Sequence, residues 1–248
     1  MSGHSKWHNI RLKKGKVDAK RGALFTKLSK EIILAARSGS ADPEANYRLK
    51  MAVEKARENN VPQDNIKRAI ARGSGQDGER EIVELRYEGH GPHGIAVILD
   101  VATDNRNRTA GELRFLFTKN GGVLGEVGAL GWMFDSVGII ECGAQGKTED
   151  AFTEDALVDG VVDVEFSEDG CVIYTEPGEL SIARDALRAR GAKISAVYLG
   201  SRAKQKVHPE GKEAEDAFAF LDALDDHEDI QHVFSNVELS DAVLEAMA

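Results

Sequence analysis

Thiols are nearly missing from this sequence: Cys142 and Cys171 are its two cysteines, 29 positions apart. Such a pair excludes a disulfide framework and any CxxC metal knuckle and fits a reducing compartment, so two small apolar core residues in a cytoplasmic protein are expected. Long apolar runs are missing too. The longest, Gly94 to Leu99, stops at Asp100, far short of the roughly 20 residues of a membrane helix, and no membrane partner is expected. The opening MSGHSKWHNI has no apolar stretch behind its positive charges, which argues against a secretory leader, and Ser2 in place of glycine argues against myristoylation. There is no glycine-flanked serine nucleophile and no HExxH. A non-enzymatic protein without catalytic residues, cofactor or bound metal is the expectation.

What is present is charge, unevenly spread. The 248 residues are 42% hydrophobic and 30% charged, enough for one large or two to three small domains, each with a core. The net charge of −10 hides a partition: residues 1–72 hold 17 Lys and Arg against 7 Asp and Glu, net +10, and the remainder is net −20. Within the first 37 residues ten basic side chains face only Asp18 and Glu31. A basic part on an acid-rich chain points to phosphate contact, because counterion release supplies most sequence-independent affinity for nucleic acid.

Several patterns imitate chemistry without its context. Gly73 to Gly78 and Gly89 to Gly94 both match GxGxxG, but the first follows a helical pattern and the second precedes Ile95-Ala96-Val97-Ile98-Leu99, which reads as a strand. A dinucleotide loop needs strand before and helix after, so the second match is a hairpin loop. Gly146-Lys147-Thr148 lies between strand and helix, yet Glu141 occupies the place of the first glycine of a phosphate loop, and Glu149 and Asp150 follow. These carboxylates repel phosphate. His4 with His8 and His90 with His93 lack carboxylate or thiolate neighbours at ligand spacing. Acidic runs such as Asp225-Asp226 with Glu228-Asp229 read as solvated charge.

The periodicity gives an α+β chain. A helix is predicted from Lys16 to Arg37, with Lys16, Lys20, Lys27 and Lys30 within about 80° of one another and Leu24, Phe25, Leu28, Ile32 and Ala36 on the flank. Arg21 falls on the apolar side, so a later helix start, with the first twenty residues as an arm, is also consistent. Asp42-Pro43 is expected to open a second helix with the stripe Ala45, Leu49, Ala52, Val53, Ala56, and Pro62 a third with Ile66, Ala69 and Ile70. From Glu81 the period is two: Ile82, Val83, Leu85 and Tyr87 give a strand, Ile95–Val101 a second, and a helix follows from about Thr109 to Lys119. Residues 132–200 read strand, helix, strand, strand, helix, strand, the ferredoxin-like βαββαβ order, expected to be self-sufficient. The last helix, around Ala214–Leu224, and strand, Ile230–Val237, have no sheet of their own and are expected to return to the earlier one. The domains so predicted are 1–78, a basic three-helix domain with an N-terminal arm; 79–131 plus 204–248, a mixed α/β domain; and 132–203, an inserted ferredoxin-like domain.

The candidate nucleic-acid contacts fall in two places. One is the arm and basic helix face, with Lys6, Trp7, Arg11, Lys13, Lys14, Lys16, Lys20, Lys27 and Lys30; Trp7 either stacks on a base or pins the arm to the bundle. The other is Thr103-Asp104-Asn105-Arg106-Asn107-Arg108-Thr109 between a strand and a helix. Here Asn107 or Thr109 is expected to cap the helix, and Arg106 and Arg108 either hold a phosphate at its N-terminus or pair with Asp104 or Glu112.

The opening SGHSKWHNIRLKKGKVDAKRGALFTKLSKEI, the segment NVPQDNIKRAIARGSG and the run YEGHGPHGIAVILDVATDNRNRTAGELRFLFTKNGG followed by WMF resemble the YebC/PmpR family, and the resemblance spans the whole chain. It implies a helical N-terminal domain and two α/β domains, the third inserted into the second. It also implies function: bacterial members are described as probable transcriptional regulators that bind DNA, mitochondrial relatives are translational activators, and some bacterial members are linked to ribosomes that struggle on proline-rich stretches. The Gly122–Gly131 segment, GVLGEVGALG, departs from the more polar pattern of relatives, so no role is transferred to loop 121–131. The reading that results is a regulator of transcription binding duplex DNA. The alternatives are a translation factor on ribosomal RNA or the ribosome, and a protein-interaction module whose acidic inserted domain meets a protein partner through Glu149, Asp150, Glu154, Asp155, Asp163, Glu165, Glu168 and Asp169.

Overall fold

The computed structural model describes residues 19–76, 78, 80–143, 145–146, 148–166, 170–240 and 243. The chain opens with three helices, α1 (Ala19–Arg37), α2 (Tyr47–Glu58) and α3 (Gln63–Gly73). The α2 helix starts later than Asp42-Pro43 suggests, and Ala45 lies outside it. The reason is Asn46, whose side chain accepts from Leu49 N at 3.1 Å while its amide donates to the carbonyls of Ala35 and Ser40 at 2.8 Å each. One residue thus caps α2 and ties the α1–α2 corner, an option that Asp42 lacks. Leu28, Ile32, Leu49, Val53, Ala56 and Ile66 form the core of the bundle, joined by Ile82 and Ala102 from the next unit.

Strands β1 (Val83–His90) and β2 (Ala96–Thr103) form an antiparallel hairpin. The turn is shorter than Gly89–Gly94, since Gly89 and His90 still pair with Val97 and Ala96, and the glycines of this segment have packing reasons. A Cβ on Gly89 would strike the Phe117 ring and one on Gly91 the Phe220 ring; these rings meet edge to face at 5.2 Å, and Gly94 has φ +77°. Helix α4 (Arg106–Lys119) and the short strand β3 (Val123–Leu124) follow. The chain returns here after residue 203 with α7 (Gly211–Asp225) and β8 (Ile230–Ser235), giving a sheet ordered β3-β1-β2-β8. Both α4 and α7 cover one face, burying Val97, Leu99, Leu113, Phe117, Phe220 and Leu224.

Between them lie β4 (Phe134–Cys142), α5 (Glu149–Ala156), β5 (Val161–Phe166), β6 (Cys171–Thr175), α6 (Leu180–Ala189) and β7 (Ile194–Ala203). Their sheet is ordered β5-β6-β4-β7, antiparallel at every step, the ferredoxin-like arrangement. Both cysteines are buried against α5 and α6, as small core residues. Glu168 and Asp169, expected in the β5–β6 turn, lie outside the described residues.

The inserted unit is less self-sufficient than its element order suggests. The face of β2 and β8 away from α4 and α7 carries Ala96, Ile98 and Phe234, and these pack with Val137, Ile139, Tyr174 and Leu130 into one core shared by both sheets. Of the acidic residues expected on the outer surface, Glu165 is buried and accepts from the Tyr174 hydroxyl at 2.9 Å, while Asp163 pairs with Arg202 and stays half-exposed. Burial beside Glu165 pushes the Tyr174 hydroxyl far above its ordinary pKa, so it remains a donor. The glycine-rich loop is tied down by Glu88, 4% exposed, whose carboxylate accepts from Gly128 N at 2.9 Å and Leu130 N at 2.6 Å.

A shared core predicts shared unfolding. Phe234→Ala should cost about 3–5 kcal/mol and shift the denaturant transition of the inserted sheet together with that of the middle sheet. Two separated transitions, with only one of them moved, would contradict a common core.

Candidate nucleic-acid interface

Lys6, Trp7, Arg11, Lys13, Lys14 and Lys16 lie outside the described residues, as do His4 and His8. Lys20 falls in the first turn of α1 with its side chain outside the described set. Arg21 is exposed, its guanidinium 5.3 Å over the Phe25 ring, which lets a cation sit above the apolar flank.

Lys27 and Lys30 are placed otherwise than the helical projection expects. From Leu28 to Ala36 helix α1 is buried nearly all round, because α2 and α3 cover one side and the middle unit covers the other. The side chains of Lys27 and Lys30 are 13% and 10% exposed and turned inward. Lys27 donates to the Asp225 carboxylate at 3.1 Å and to its carbonyl; Lys30 donates to the Glu228 carbonyl at 3.0 Å and to the Asp229 carboxylate. They fasten α1 to the segment between α7 and β8 and present nothing to a phosphate.

Asp229, fully buried, is the hub of this contact. Besides Lys30, its oxygens accept from Arg108 Nη2 at 3.1 and 2.9 Å and from the Thr109 hydroxyl at 2.6 Å. Burial alone would raise this carboxyl, but the bonds from Lys30, Thr109 and Arg108 outweigh it and hold the pKa at about 2. The same bond raises the Arg108 guanidinium.

Helix α4 is capped by Asn105, which accepts from Arg108 N at 3.1 Å, and neither Asn107 nor Thr109 takes that place. Arg108 also lies 3.5 Å from Asp104 and 3.9 Å from Glu112, so the ion-pair alternative describes it. Arg106 is different: it is exposed in the first turn, with no carboxylate partner among the described residues. Arg72, at the end of α3, lies 3.9 Å from Asp104. The unengaged Arg106 therefore stands at the seam between the basic bundle and the middle unit, beside a helix N-terminus whose N–H groups favour anions. The α2–α3 turn has Asn60 at φ 59°, a left-handed conformation that asparagine tolerates, and α3 leaves Gln63, Lys67 and Arg68 exposed.

His93 Nε2 lies 3.0 Å from Asp216, and His90 is exposed at the end of β1. Glu112, His227 and Asp229 bring possible ligand atoms within 4.8 Å of one another. Two cations and a hydroxyl already saturate the Asp229 oxygens, and His227 Nδ1 accepts from Asp229 N at 3.1 Å. A further cation would have to displace them.

Comparison with known proteins decides the lineage. Residues 5–76 match the TACO1/YebC protein N-terminal domain and residues 82–237 the TACO1/YebC second and third domain. The chain belongs to the TACO1/YebC family. Similar proteins include a probable transcriptional regulatory protein of Pelotomaculum thermopropionicum, 47% identical over 243 residues, 97% of this chain and all of that one. Another, of Herpetosiphon aurantiacus and bearing the same name, is 46% identical over 249 residues, all of this chain and 99% of that one. Among solved structures, the conserved hypothetical protein Aq1575 of Aquifex aeolicus superposes with a TM-score of 0.82 at 39% identity, covering 91% of this chain and 93% of that one. In this TACO1/YebC chain no helix among the described residues is long and apolar enough to cross a membrane.

In this TACO1/YebC protein Asp229 is the residue that sequence reasoning misses, because it sits in an acidic run whose neighbours are ordinary surface charge. The spacing of Arg108-Thr109 just beyond Asp104 gives no sign that both reach a partner some 120 positions away.

The geometry of the hub fixes how it should respond to substitution and to acid. In Asp229→Asn, Lys30 and Arg108 lose their shared counter-charge, and unfolding should be easier by about 3–5 kcal/mol. A carboxyl held near 2 stabilises the fold above its unfolded pKa of roughly 4 and loses that contribution as pH falls through 2, so the parent should lose about 2 kcal/mol between pH 4 and 2 that Asp229→Asn does not lose. Parallel acid titrations of parent and variant would contradict the hub. Arg108→Gln should lower the melting temperature with a loss of about 1–3 kcal/mol. Arg106→Gln should leave stability within about 0.5 kcal/mol while reducing the salt slope of nucleic-acid binding by nearly one unit; equal behaviour of the two variants would remove the distinction.

Proposed function

We propose that this protein regulates gene expression by binding nucleic acid through its N-terminal unit, with Arg106 extending the contact onto the middle unit. The observation that carries this reading is the charge partition, +10 over residues 1–72 against −20 over the rest. The structure refines which cations are available: Lys27, Lys30 and Arg108 are engaged with carboxylates, so the arm residues Lys6, Arg11, Lys13, Lys14 and Lys16, with Lys20 and Trp7, would carry the contact together with the exposed Lys67, Arg68 and Arg106. Arm, turn and α3 support a mode in which α3 enters a major groove and the arm follows the backbone. The relatives' name, probable transcriptional regulatory protein, favours transcription and duplex DNA as the first reading.

Ribosomal RNA is the competing partner. A long duplex repels a body of net −20 unless it is held away, whereas a ribosomal cleft accepts a basic unit and leaves the acidic body beside proteins. The acidic inserted unit as the main partner surface loses Glu165, which is buried and bonded to Tyr174, and keeps Glu149, Asp150 and Glu154 exposed. Replacing Arg11, Lys13, Lys14 and Lys16 with Glu should weaken binding and flatten its salt dependence by roughly one unit of slope for each phosphate neutralisation removed. Unchanged affinity and slope would end the assignment. Gradient sedimentation of lysate with and without RNase separates the partners, and co-migration with ribosomes alone would reverse their order.

A further inference from the structure

The three units meet around a cleft of about 670 Å³, within the size range of small-molecule sites. Its walls come from α1 and α2, from β1, β2 and β8, and from α6 and β7. Nothing in the nucleic-acid reading uses it.

The lining is apolar at depth and charged at the mouth. Leu34, Met51, Val101 and Val197 supply apolar surface, and the Tyr198 and His232 rings stack at 4.0 Å with 19° between their planes. Burial beside Glu141 raises the Tyr198 hydroxyl well above its ordinary pKa, so that edge of the stack stays neutral. Three arginines and three carboxylates line the cleft in balance: Arg48, Arg86 and Arg184 against Glu31, Glu84 and Asp100. A polyanion gains little from a balanced lining, while a ligand carrying one charge of each sign gains from both.

The charges are not equally committed. Arg86 holds Asp100 through two bonds of 2.7 and 3.0 Å, and Arg184 holds Asp185 in the same manner while lying 4.9 Å over the Tyr47 ring. Glu31 faces Lys55 at 3.6 Å. Arg48 and Glu84 are joined by one long contact of 3.4 Å, their side chains 50% and 59% exposed, and they come from different units. Such a pair is worth little by itself, so exchanging it for two ligand contacts costs little.

The deciding feature is Gln231. A β-bulge interrupts the β2–β8 register between Asp100 and Val101, opposite this residue, and Gln231 lines the cleft with its Nε2 buried and without a hydrogen-bond partner among the described residues. Bulges re-aim side chains next to functional sites, and a buried donor left unpaired costs about 1–3 kcal/mol, which a ligand oxygen would recover.

We propose that the cleft binds a zwitterion of the amino-acid or short-peptide class with a bulky apolar side chain. Its carboxylate is drawn to Arg48 and its ammonium to Glu84; a carbonyl oxygen accepts from Gln231, and the apolar side chain lies against the Tyr198–His232 stack. Because all three units wall the cleft, occupancy sets the angle between the basic bundle and the acidic body, which makes the ligand an effector.

The test is calorimetric titration of the full chain, without nucleic acid, using L-phenylalanine, the dipeptide Leu-Phe, the doubly blocked N-acetyl-phenylalaninamide and AMP. Saturable one-to-one binding of L-phenylalanine or Leu-Phe is expected, at least tenfold weaker for the blocked compound and for AMP. Arg48→Gln, Glu84→Gln and Gln231→Leu should each weaken it about tenfold, the equivalent of one well-placed charged contact or one restored donor. The Arg48 and Glu84 variants alter half-exposed side chains and should melt as the parent does; if either fails to fold, the other decides. No saturable binding at millimolar ligand, tighter binding of AMP, or unchanged affinity in the folded variants would overturn the proposal. Since no nucleic acid is present, each of these outcomes leaves the regulatory reading where it stands.

Discussion

A single buried carboxylate dictates how this molecule is put together. Asp229 is removed from water entirely, and an isolated charge there would be untenable. It is tolerable because α1 supplies Lys30 and α4 supplies Arg108 and Thr109, so three elements must arrive together before any of them is satisfied. Lys27 on Asp225 repeats the device one turn away. Such ionic contacts add less to stability than their Coulomb energy suggests, but they tolerate few alternative geometries, so they fix the angle between bundle and sheet.

The inserted unit is held by another logic. Its inner sheet face and the free face of the middle sheet bury Ile98, Phe234, Ile139 and Val137 against one another, a non-directional contact that is strong and tolerant of small shifts. Where this core ends, toward α1 and α2, the faces part and the cleft begins. The polar row Arg86, Asp100, His232 lies two residues along the strands from the row Glu88, Ile98, Phe234, where Ile98 and Phe234 join the core and Glu88 is diverted to the glycine-rich loop. The transition from core to cleft is therefore written in alternate residues of β1, β2 and β8.

Much of this is legible in the sequence, for reasons that differ by element. Strands β5 and β6 can be read to the residue because Val161–Phe166 alternates apolar with acidic residues, Cys171–Thr175 is β-branched and aromatic, and turn residues bound both. The ferredoxin-like order follows from the sequence of elements alone, and the return of α7 and β8 to the first sheet from their lack of partners. The start of α2 is misplaced by sequence because Asp-Pro is a strong local signal, and the winning one, Asn46, depends on the carbonyls of Ala35 and Ser40 that only the folded corner presents. The site is less legible. A helical projection shows which lysines share a face and cannot show what covers that face; Lys27 and Lys30 look like a phosphate-binding row until the segment 225–229 closes over them.

That closure changes how the charge partition should be understood. Part of the basic excess of the N-terminal unit is internal, neutralised by Asp225 and Asp229 from the other end of the chain. The exposed cations include Lys67 and Arg68 on α3, the latter bonded within its own helix to the Asp64 carbonyl and the Asn65 side chain, and Arg106 beside the α4 N-terminus. Arg106 and Arg108 are two residues apart, so on a helix they point to opposite sides, and one side is Asp229. Committing Arg108 to the hub is what orients Arg106 outward. The ionic lock that positions the bundle also aims the residue at its seam, so architecture and interface here rest on the same short segment.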